Sequence, residues 1–316
     1  MTEDAGKLLQ RLEWTTLKRL DGLLQGDYRT LFRGVGLDLA DLREYQLHDD
    51  VRHIDWNVTA RMQTPYVRQF SEDRDMNAWF LVDLSPSADF TSGVRSKRTL
   101  TIEFVGLMAR LITQHGNRAG LMRYSVDVDC VITPRADRMH VLHLLHRLMQ
   151  RPLYDAAKAR KPTDLQALLQ RAAGAIKRRS AVFIVSDFIS EPGWELALKR
   201  LAQRHDVVVV EVNDPLETTL PDVGLMTLED PETGAQLFVD TTDPALRARF
   251  AALHQAQSDA RSRAFSDAGV SVLSLRTDQS LIDNLVRFVG ARTRRTQGAR
   301  ATRTAPTSPD VLRQVA

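Results

Sequence analysis

One apolar segment that ends on an aspartate limits the choice of fold more than any other part of the sequence. It spans residues 78–82 (AWFLV) and stops at Asp83, after which Ser85 and Ser87 follow at alternate positions. A continuous apolar run of this length is typical of a strand buried on both faces, as in a parallel sheet covered by helices. Open α/β sheets carry their sites where such strands end, so these three polar residues mark a candidate site.

The three side chains after this strand have the chemistry of a metal site. Residues at a spacing of two can converge on one point above the end of the strand. One carboxylate with neutral hydroxyl oxygens suits a hard cation such as Mg2+, which takes few protein ligands and keeps several waters. A simpler interpretation is that Asp83, Ser85 and Ser87 hydrogen-bond their own turn, as Asp and Ser often do.

Further strand-like runs alternate with helical patterns along the chain. Strands are predicted at residues 119–124, 128–133, 181–185, 206–212 and 270–275. Apolar residues at helical spacing separate most of these runs. The alternation predicts an α/β fold, a mostly parallel sheet with helices on both faces. The connection between the strands at 119–124 and 128–133 is too short for a crossover, so we expect that pair to be antiparallel.

The sequence divides into three parts. Residues 1–76 predict an N-terminal helix, from an apolar stripe between Leu8 and Leu24, followed by a small β-rich appendage. Residues 77–290 carry the α/β domain, with a β-hairpin excursion near residues 225–239. Residues 291–316 are rich in arginine and have no apolar period, which predicts a basic, disordered tail.

Composition narrows the class of function. The chain has 316 residues, 43% of them hydrophobic, which is enough for a sizeable core. A net charge of +3 argues against a nucleic-acid partner for the chain as a whole. The single cysteine, Cys130, excludes an internal disulfide and a multi-cysteine zinc site. Because no stretch approaches the ~20 apolar residues of a membrane helix and no signal-peptide pattern opens the chain, we expect a cytoplasmic protein.

Two later segments complete a known pattern. A second apolar strand ends in Ser186-Asp187, and Thr163 opens a helical stretch between the two strands. An Asp-x-Ser-x-Ser, a later Thr and a still later Asp, each at a strand-to-helix junction, resemble the metal-ion-dependent adhesion site of von Willebrand factor A-like domains. The resemblance implies a von Willebrand A-like, doubly wound fold. It also implies a Mg2+ site, with Mn2+ or Ca2+ as alternative ions, at the matching positions: Asp83, Ser85, Ser87, Thr163 and Asp187.

The later motif residues also have simpler interpretations. Thr163-x-x-Gln166 before an apolar face is a capping box, in which the hydroxyl binds the helix backbone. Asp187 can be a helix-initiating carboxylate near the positive end of a helix. Three histidines at residues 140–146 are spaced by three on one predicted helix, and we interpret them as a polar helix face because no further zinc ligands lie near them.

A second resemblance covers most of the chain. It rests on residues 34–36 (GVG), 42–45 (LREY), 49–56 (DDVRHIDW), 59–61 (TAR), 186–188 (SDF), 214–215 (DP) and 228–234 (LEDPETG). These segments are similar to the bacterial family catalogued as domain of unknown function number fifty-eight, whose members are von Willebrand A-like proteins commonly paired with MoxR-type AAA+ ATPases. Five residues of this block form either a structural cluster or a docking surface: Arg43, Arg52, Asp55, Trp56 and Arg61.

These features favour a non-enzymatic interaction module, an adaptor or co-chaperone. The resemblance implies that its Mg2+ site binds an acidic residue of a MoxR-type AAA+ ATPase or of the client that this ATPase remodels. The alternative is a metal-dependent hydrolase that uses the same site. A haloacid-dehalogenase-like phosphatase would need Asp-x-Asp after the strand, and Ser85 stands in the second position. A third hypothesis, nucleic-acid binding by the basic tail, is weakest because the tail has no interleaved aromatic residues.

Overall fold

The structure is a computed structural model that describes residues 4–13, 41–46, 51, 54–69, 76–93, 95–150 and 162–303. Its helices are α1 Ala5–Leu12, α2 Trp56–Met62, α3 Lys97–Gln114, α4 Arg138–Met149, α5 Leu165–Ala175, α6 Trp194–Arg204, α7 Pro215–Thr218, α8 Pro244–Ala268 and α9 Leu281–Arg303. Its strands are β1 Asp41–Glu44, β2 Tyr66–Gln69, β3 Asn77–Asp83, β4 Arg118–Tyr124, β5 Val128–Arg135, β6 Ala181–Ser186, β7 Asp206–Asn213, β8 Leu225–Glu229, β9 Gln236–Asp240 and β10 Ser271–Arg276. A short 3-10 helix covers Pro86–Asp89.

A six-stranded sheet forms the centre of the protein, in the order β10-β7-β6-β3-β4-β5. Its strand pairs are parallel except for β4 with β5, which is antiparallel. This confirms the mostly parallel α/β sheet and the antiparallel edge pair. Strand β3 lies between β4 and β6, with Val82 opposite Val185 and Asp83 opposite Tyr124. The carboxyl ends of β3 and β6 therefore meet at one edge of the sheet.

Alternate residues of the central strands face two separate hydrophobic clusters. Phe80 and Val82 belong to the cluster that also contains residues of α1, α3, α4 and α9. Trp79 and Leu81 belong to the other, with residues of α5, α6 and α8. Helices thus cover both faces of the sheet, which explains why β3 is apolar from residue 78 to residue 82.

Helix α1 packs onto the α/β core. Leu8 and Leu9 are buried in the same cluster as α3 and α4. Beyond the helix, the carboxylate of Glu13 accepts a hydrogen bond from Arg110 at 2.7 Å and another from Arg138 at 3.2 Å. The rest of the predicted helix, as far as Leu24, lies outside the described residues.

The appendage contains a small sheet and a helix. Strands β1 and β2 pair in antiparallel orientation, as expected, but residues 56–62 form α2 where short β-prone runs were predicted. The Asp55 carboxylate accepts the Val58 N–H at 3.2 Å, which favours a helical turn here over an extended strand. Trp56 is 69% exposed and is therefore not a buried anchor of a structural cluster. Arg52 and the side chain of Arg43 lie outside the described residues.

The two remaining segments are the predicted hairpin and the C-terminal helix. Strands β8 and β9 pair with each other, from Leu225 opposite Asp240 to Glu229 opposite Gln236, which confirms the β-hairpin excursion. Helix α9 continues to Arg303, whereas a disordered tail was predicted from residue 291. Arg, Ala and Gln have high helix propensity, so a helix can continue here without an apolar period. Within the described ranges, none of the helices has the length and apolar character of a membrane span.

Candidate metal site at the rim of the sheet

Four of the five predicted site residues border one small cavity at the carboxyl ends of β3 and β6. Asp83, Ser85, Ser87 and Asp187 line a space of about 10 Å³, together with Lys97 and other residues. That volume is about what one water molecule needs. The four predicted side chains are between 1% and 6% exposed, so the site lies beneath the surface.

Asp83 is a buried carboxylate whose described partners are all neutral. The Ser85 N–H donates to Oδ1 at 2.9 Å, and the Ser186 hydroxyl donates to Oδ2 at 2.8 Å. None of the ion pairs found among the described residues includes Asp83. Burial, and then the nearby charge of Asp187, raise the pKa of Asp83 from 3.8 to about 6. A cation next to this carboxylate would offset the cost of burying its charge.

The two serines lie on the same small cavity. Ser85 precedes the short 3-10 helix and Ser87 is its second residue. The Oγ atoms of the two serines are 3.1 Å apart. The bond from the Ser85 N–H to Asp83 shows that the turn interpretation is correct in part. It does not conflict with a metal site, because the bond uses a backbone donor and leaves both serine hydroxyls at the cavity.

Lys97 places a positive charge at the cavity, although it was not among the site residues predicted from the sequence. Its side chain is 2% exposed, and its Nζ lies 2.6 Å from Asp187 Oδ2 and 2.5 Å from Glu217 Oε1. Burial alone would lower the pKa of Lys97, but the two carboxylates raise it above its ordinary value. Asp187 therefore has a counter-ion within the chain, whereas Asp83 has none in the described part. In the sequence, Lys97 resembles any lysine that opens an amphipathic helix.

Thr163, the fifth predicted residue, contacts a different carboxylate. Among the described residues, those that line the cavity do not include Thr163. Its hydroxyl and its backbone N–H both donate to the carboxylate of Glu232, the N–H at 2.7 Å. Glu232 lies in the turn between β8 and β9, and burial raises its pKa. From the sequence, this turn was predicted as part of a β-hairpin and of the family pattern, with no role at the site.

Both helix-start interpretations are wrong. Helix α5 has Asp164 as its N-cap, with Oδ1 accepting the Ala167 N–H at 3.0 Å, so Thr163 caps no helix. Asp and Thr are both good N-caps, and the helix begins one residue later than the sequence suggested. Helix α6 begins at Trp194 with Gly193 as its N-cap, which places Asp187 outside the helix. The Asp187 Oδ1 instead accepts the N–H of Ile189 at 3.0 Å.

Other candidate metal ligands do not form a site. In the part of the chain that the structure describes, no group of three or more His, Cys, Asp or Glu side chains is placed to hold a metal ion. His143 and His146 are exposed, as a polar helix face predicts, whereas His140 is buried with its Nε2 2.8 Å from the Ala119 carbonyl oxygen. Cys130 is a buried free thiol. The rim cavity differs from such clusters because it offers hydroxyls and only two carboxylates.

A larger groove borders the same rim. Its volume is about 690 Å³, and it is lined mostly by apolar residues that include Ile189 and Leu237. Ser87 lines both the groove and the small cavity, so the two spaces lie next to each other. Glu217 and Glu232 also lie on its wall.

The fold and the rim therefore define an α/β protein with a buried, partly uncompensated acidic site at the end of a parallel sheet. The chain belongs to the family described as protein of unknown function DUF58, whose sequence pattern matches residues 41–260. This confirms the family resemblance. An uncharacterized protein of Mycobacterium tuberculosis and one of Mycobacterium bovis are each 37% identical to this chain over 289 residues, covering 90% of this chain and 89% of the relative.

Two of the solved structures that are similar to the chain come from Bacteroides species. The conserved hypothetical protein BatB from Bacteroides thetaiotaomicron is 13% identical, with a TM-score of 0.42, and the match covers 69% of this chain and 99% of that protein. An aerotolerance-related membrane protein from Bacteroides fragilis is 14% identical, with a TM-score of 0.41, and covers 72% of this chain.

Proposed function

We propose that this protein is an interaction module whose rim site binds Mg2+ and, through that ion, an acidic side chain of a partner protein. One observation carries the proposal. Asp83 is a buried carboxylate without a described cationic partner, and two serine hydroxyls lie with it on a cavity the size of one water. A small, hard cation with oxygen ligands is the ligand that best matches this set.

The residues at the rim site would have separate roles. Asp83, Ser85 and Ser87 would hold the ion, and Asp187 would support it from a position already paired with Lys97. The bonds from Ser85 and Ser186 keep the Asp83 carboxylate in a fixed orientation, as supporting groups around metal ligands do. A bound Mg2+ supplies a position that attracts an incoming carboxylate. Mg2+ and Lys97 together would balance the three carboxylates of Asp83, Asp187 and Glu217, so the loaded site would have little net negative charge to repel such a group.

The wider proposal includes the von Willebrand A-like assignment and the identity of the partner. The parallel sheet and the placement of Asp83 and Asp187 at one rim support the von Willebrand A-like assignment. By family resemblance, the proposed partner is a MoxR-type AAA+ ATPase or the client of that ATPase. The proposed place of action is the cytoplasm, as expected from the sequence pattern.

A pull-down tests this function directly. The purified protein is immobilised and exposed to the MoxR-type ATPase of the same host, in Mg2+ and in a chelator. We expect recovery of the ATPase only in Mg2+, and loss of recovery with Asp83→Asn. Asp127→Asn is a matched control, because Asp127 is an exposed aspartate in the loop between β4 and β5, at the same end of the sheet. Equal recovery with and without Mg2+ would reject a metal-mediated contact.

A further inference from the structure

The turn between β8 and β9 directs one carboxylate inward and keeps the others outward. Glu229 and Asp230 are exposed, whereas Glu232 is 9% exposed. Asp230 fixes the turn, since its Oδ1 accepts the Glu232 N–H at 2.9 Å and its backbone oxygen accepts the Gly234 N–H at 2.8 Å. The inward position of Glu232 is therefore built into the local backbone.

Both oxygens of the Glu232 carboxylate accept hydrogen bonds from Thr163. Oε2 accepts the Thr163 N–H and Oε1 accepts its hydroxyl. Among the described residues, the hydrogen bonds that leave residues 229–236 for the α/β domain all end on Thr163. The hairpin forms its own two-stranded sheet, separate from the central sheet, and an isolated hairpin is only marginally stable. The Glu232 carboxylate thus attaches the tip of the β8–β9 hairpin to the α/β domain.

Thr163 belongs structurally to the rim. Its carbonyl oxygen accepts the Ser190 hydroxyl at 2.8 Å and the Glu191 N–H at 2.9 Å, which ties it to the loop that begins at Asp187. Glu232 and Ser87 lie on the wall of the same groove. An acidic side chain that entered the site from solvent along this groove would meet the hairpin turn.

We propose that Glu232 is an internal competitor of the partner's acidic side chain, so that the hairpin covers the site until a partner displaces it. This inference rests on the proposed function and adds regulation of the same site. Glu232 lies on the wall of the groove that borders the site, where its negative charge would oppose an incoming carboxylate. Partner binding then requires release of the β8–β9 turn, and the affinity observed for the partner is the intrinsic affinity multiplied by the fraction of molecules in which the turn is open.

Affinity measurements on three variants test the competition. The probe is the MoxR-type ATPase of the same host, titrated in Mg2+ and in chelator. Glu232→Ala should bind it at least about tenfold more tightly than the wild type in Mg2+, because hydrogen bonds to a charged group hold the closed turn. Glu232→Gln, which retains weaker neutral bonds, should lie between them. Glu229→Ala removes an exposed carboxylate at the end of β8 that accepts a hydrogen bond from Gln236 within the hairpin, and should match the wild type in affinity for the ATPase.

Hydrogen exchange separates the inference from the function on which it rests. Amides of residues 225–240 should exchange faster in Glu232→Ala than in Glu229→Ala, without partner or metal. Wild-type binding that depends on Mg2+ but is not strengthened in Glu232→Ala would overturn the inference and leave the proposed function intact. Unchanged exchange in the hairpin would also overturn it. Absence of Mg2+-dependent binding in the wild type and in all variants would overturn both the inference and the proposed function. If Glu232→Ala still strengthened binding in an Asp83→Asn background, Glu232 would not compete at the metal site, and the inference would be wrong.

Discussion

Replacing Asp83 with Asn should make the metal-free protein more stable at neutral pH, although it removes the central residue of the proposed site. The carboxylate is 5% exposed, and its hydrogen bonds come from neutral donors. Burial and the nearby Asp187 raise its pKa from 3.8 to about 6, so ionising it costs more in the folded protein than in the unfolded chain. Asn keeps the shape and can still accept the Ser85 N–H without a buried charge.

The pKa difference determines the size and the pH range of this effect. A rise from 3.8 to about 6 corresponds to a destabilisation of about 3 kcal/mol for the ionised group, at about 1.36 kcal/mol per pKa unit. Between these two values the folded protein holds the proton and the unfolded chain has lost it. The unfolded state then binds fewer protons, so the wild-type free energy of unfolding falls as pH rises from about 4 to about 6. Above this range the full penalty is present, and the Asn variant avoids it.

Urea unfolding in a chelator measures the effect. We expect the Asp83→Asn variant to exceed the wild type by up to about 3 kcal/mol at pH 8 and by much less at pH 4.5. The exposed control Asp127→Asn should show no such pH-dependent difference. A variant that is less stable than the wild type at pH 8, or a gain of equal size at both pH values, would refute the argument that Asp83 is a buried charge without a counter-ion.

Three further substitutions test the ion pair at the site and the packing of the core. Asp187→Asn should lower the free energy of unfolding by about 1–3 kcal/mol, since the buried Lys97 loses one of its two carboxylates. Urea unfolding should therefore show a loss of stability, in contrast to the gain expected for Asp83→Asn, and a gain in stability for Asp187→Asn would contradict this prediction. Gly120→Ala should cost about 1–3 kcal/mol, because a Cβ there would lie 2.8 Å from Pro134 Cγ; an unchanged Tm would show that the edge strands have room. Leu9→Ala should cost about 2–5 kcal/mol, because Leu9 is fully buried in the core; a change near zero in urea unfolding would mean that α1 is not docked in solution.

The sheet could be predicted because its signal is local. A strand buried on both faces must be apolar at each position, and residues 78–82 satisfy this rule in the sequence alone. The same holds for the strand before Ser186 and for the short β4–β5 connection. The convergence of Asp83 with Asp187 followed from parallel pairing, because strands that run in one direction end at one edge.

The partners of the site residues could not be predicted because they are distant in sequence. Lys97 reaches Asp187 across 90 positions, and Glu232 reaches Thr163 across 69. Neither Lys97 nor Glu232 differs locally from an ordinary surface residue. The helix start at Asp164 was missed for a different reason, since a Thr and an Asp stand side by side and both are favourable N-caps.

The central claim, a divalent cation held at Asp83, is tested most directly by thermal unfolding at pH 8 during a Mg2+ titration. A ligand that binds the folded state raises Tm in a saturable way that grows with its concentration relative to Kd. We predict such a rise for the wild type and for Asp127→Asn, and its loss in Asp83→Asn. An equal rise in all three proteins, or no rise in the wild type at millimolar Mg2+, would contradict the account.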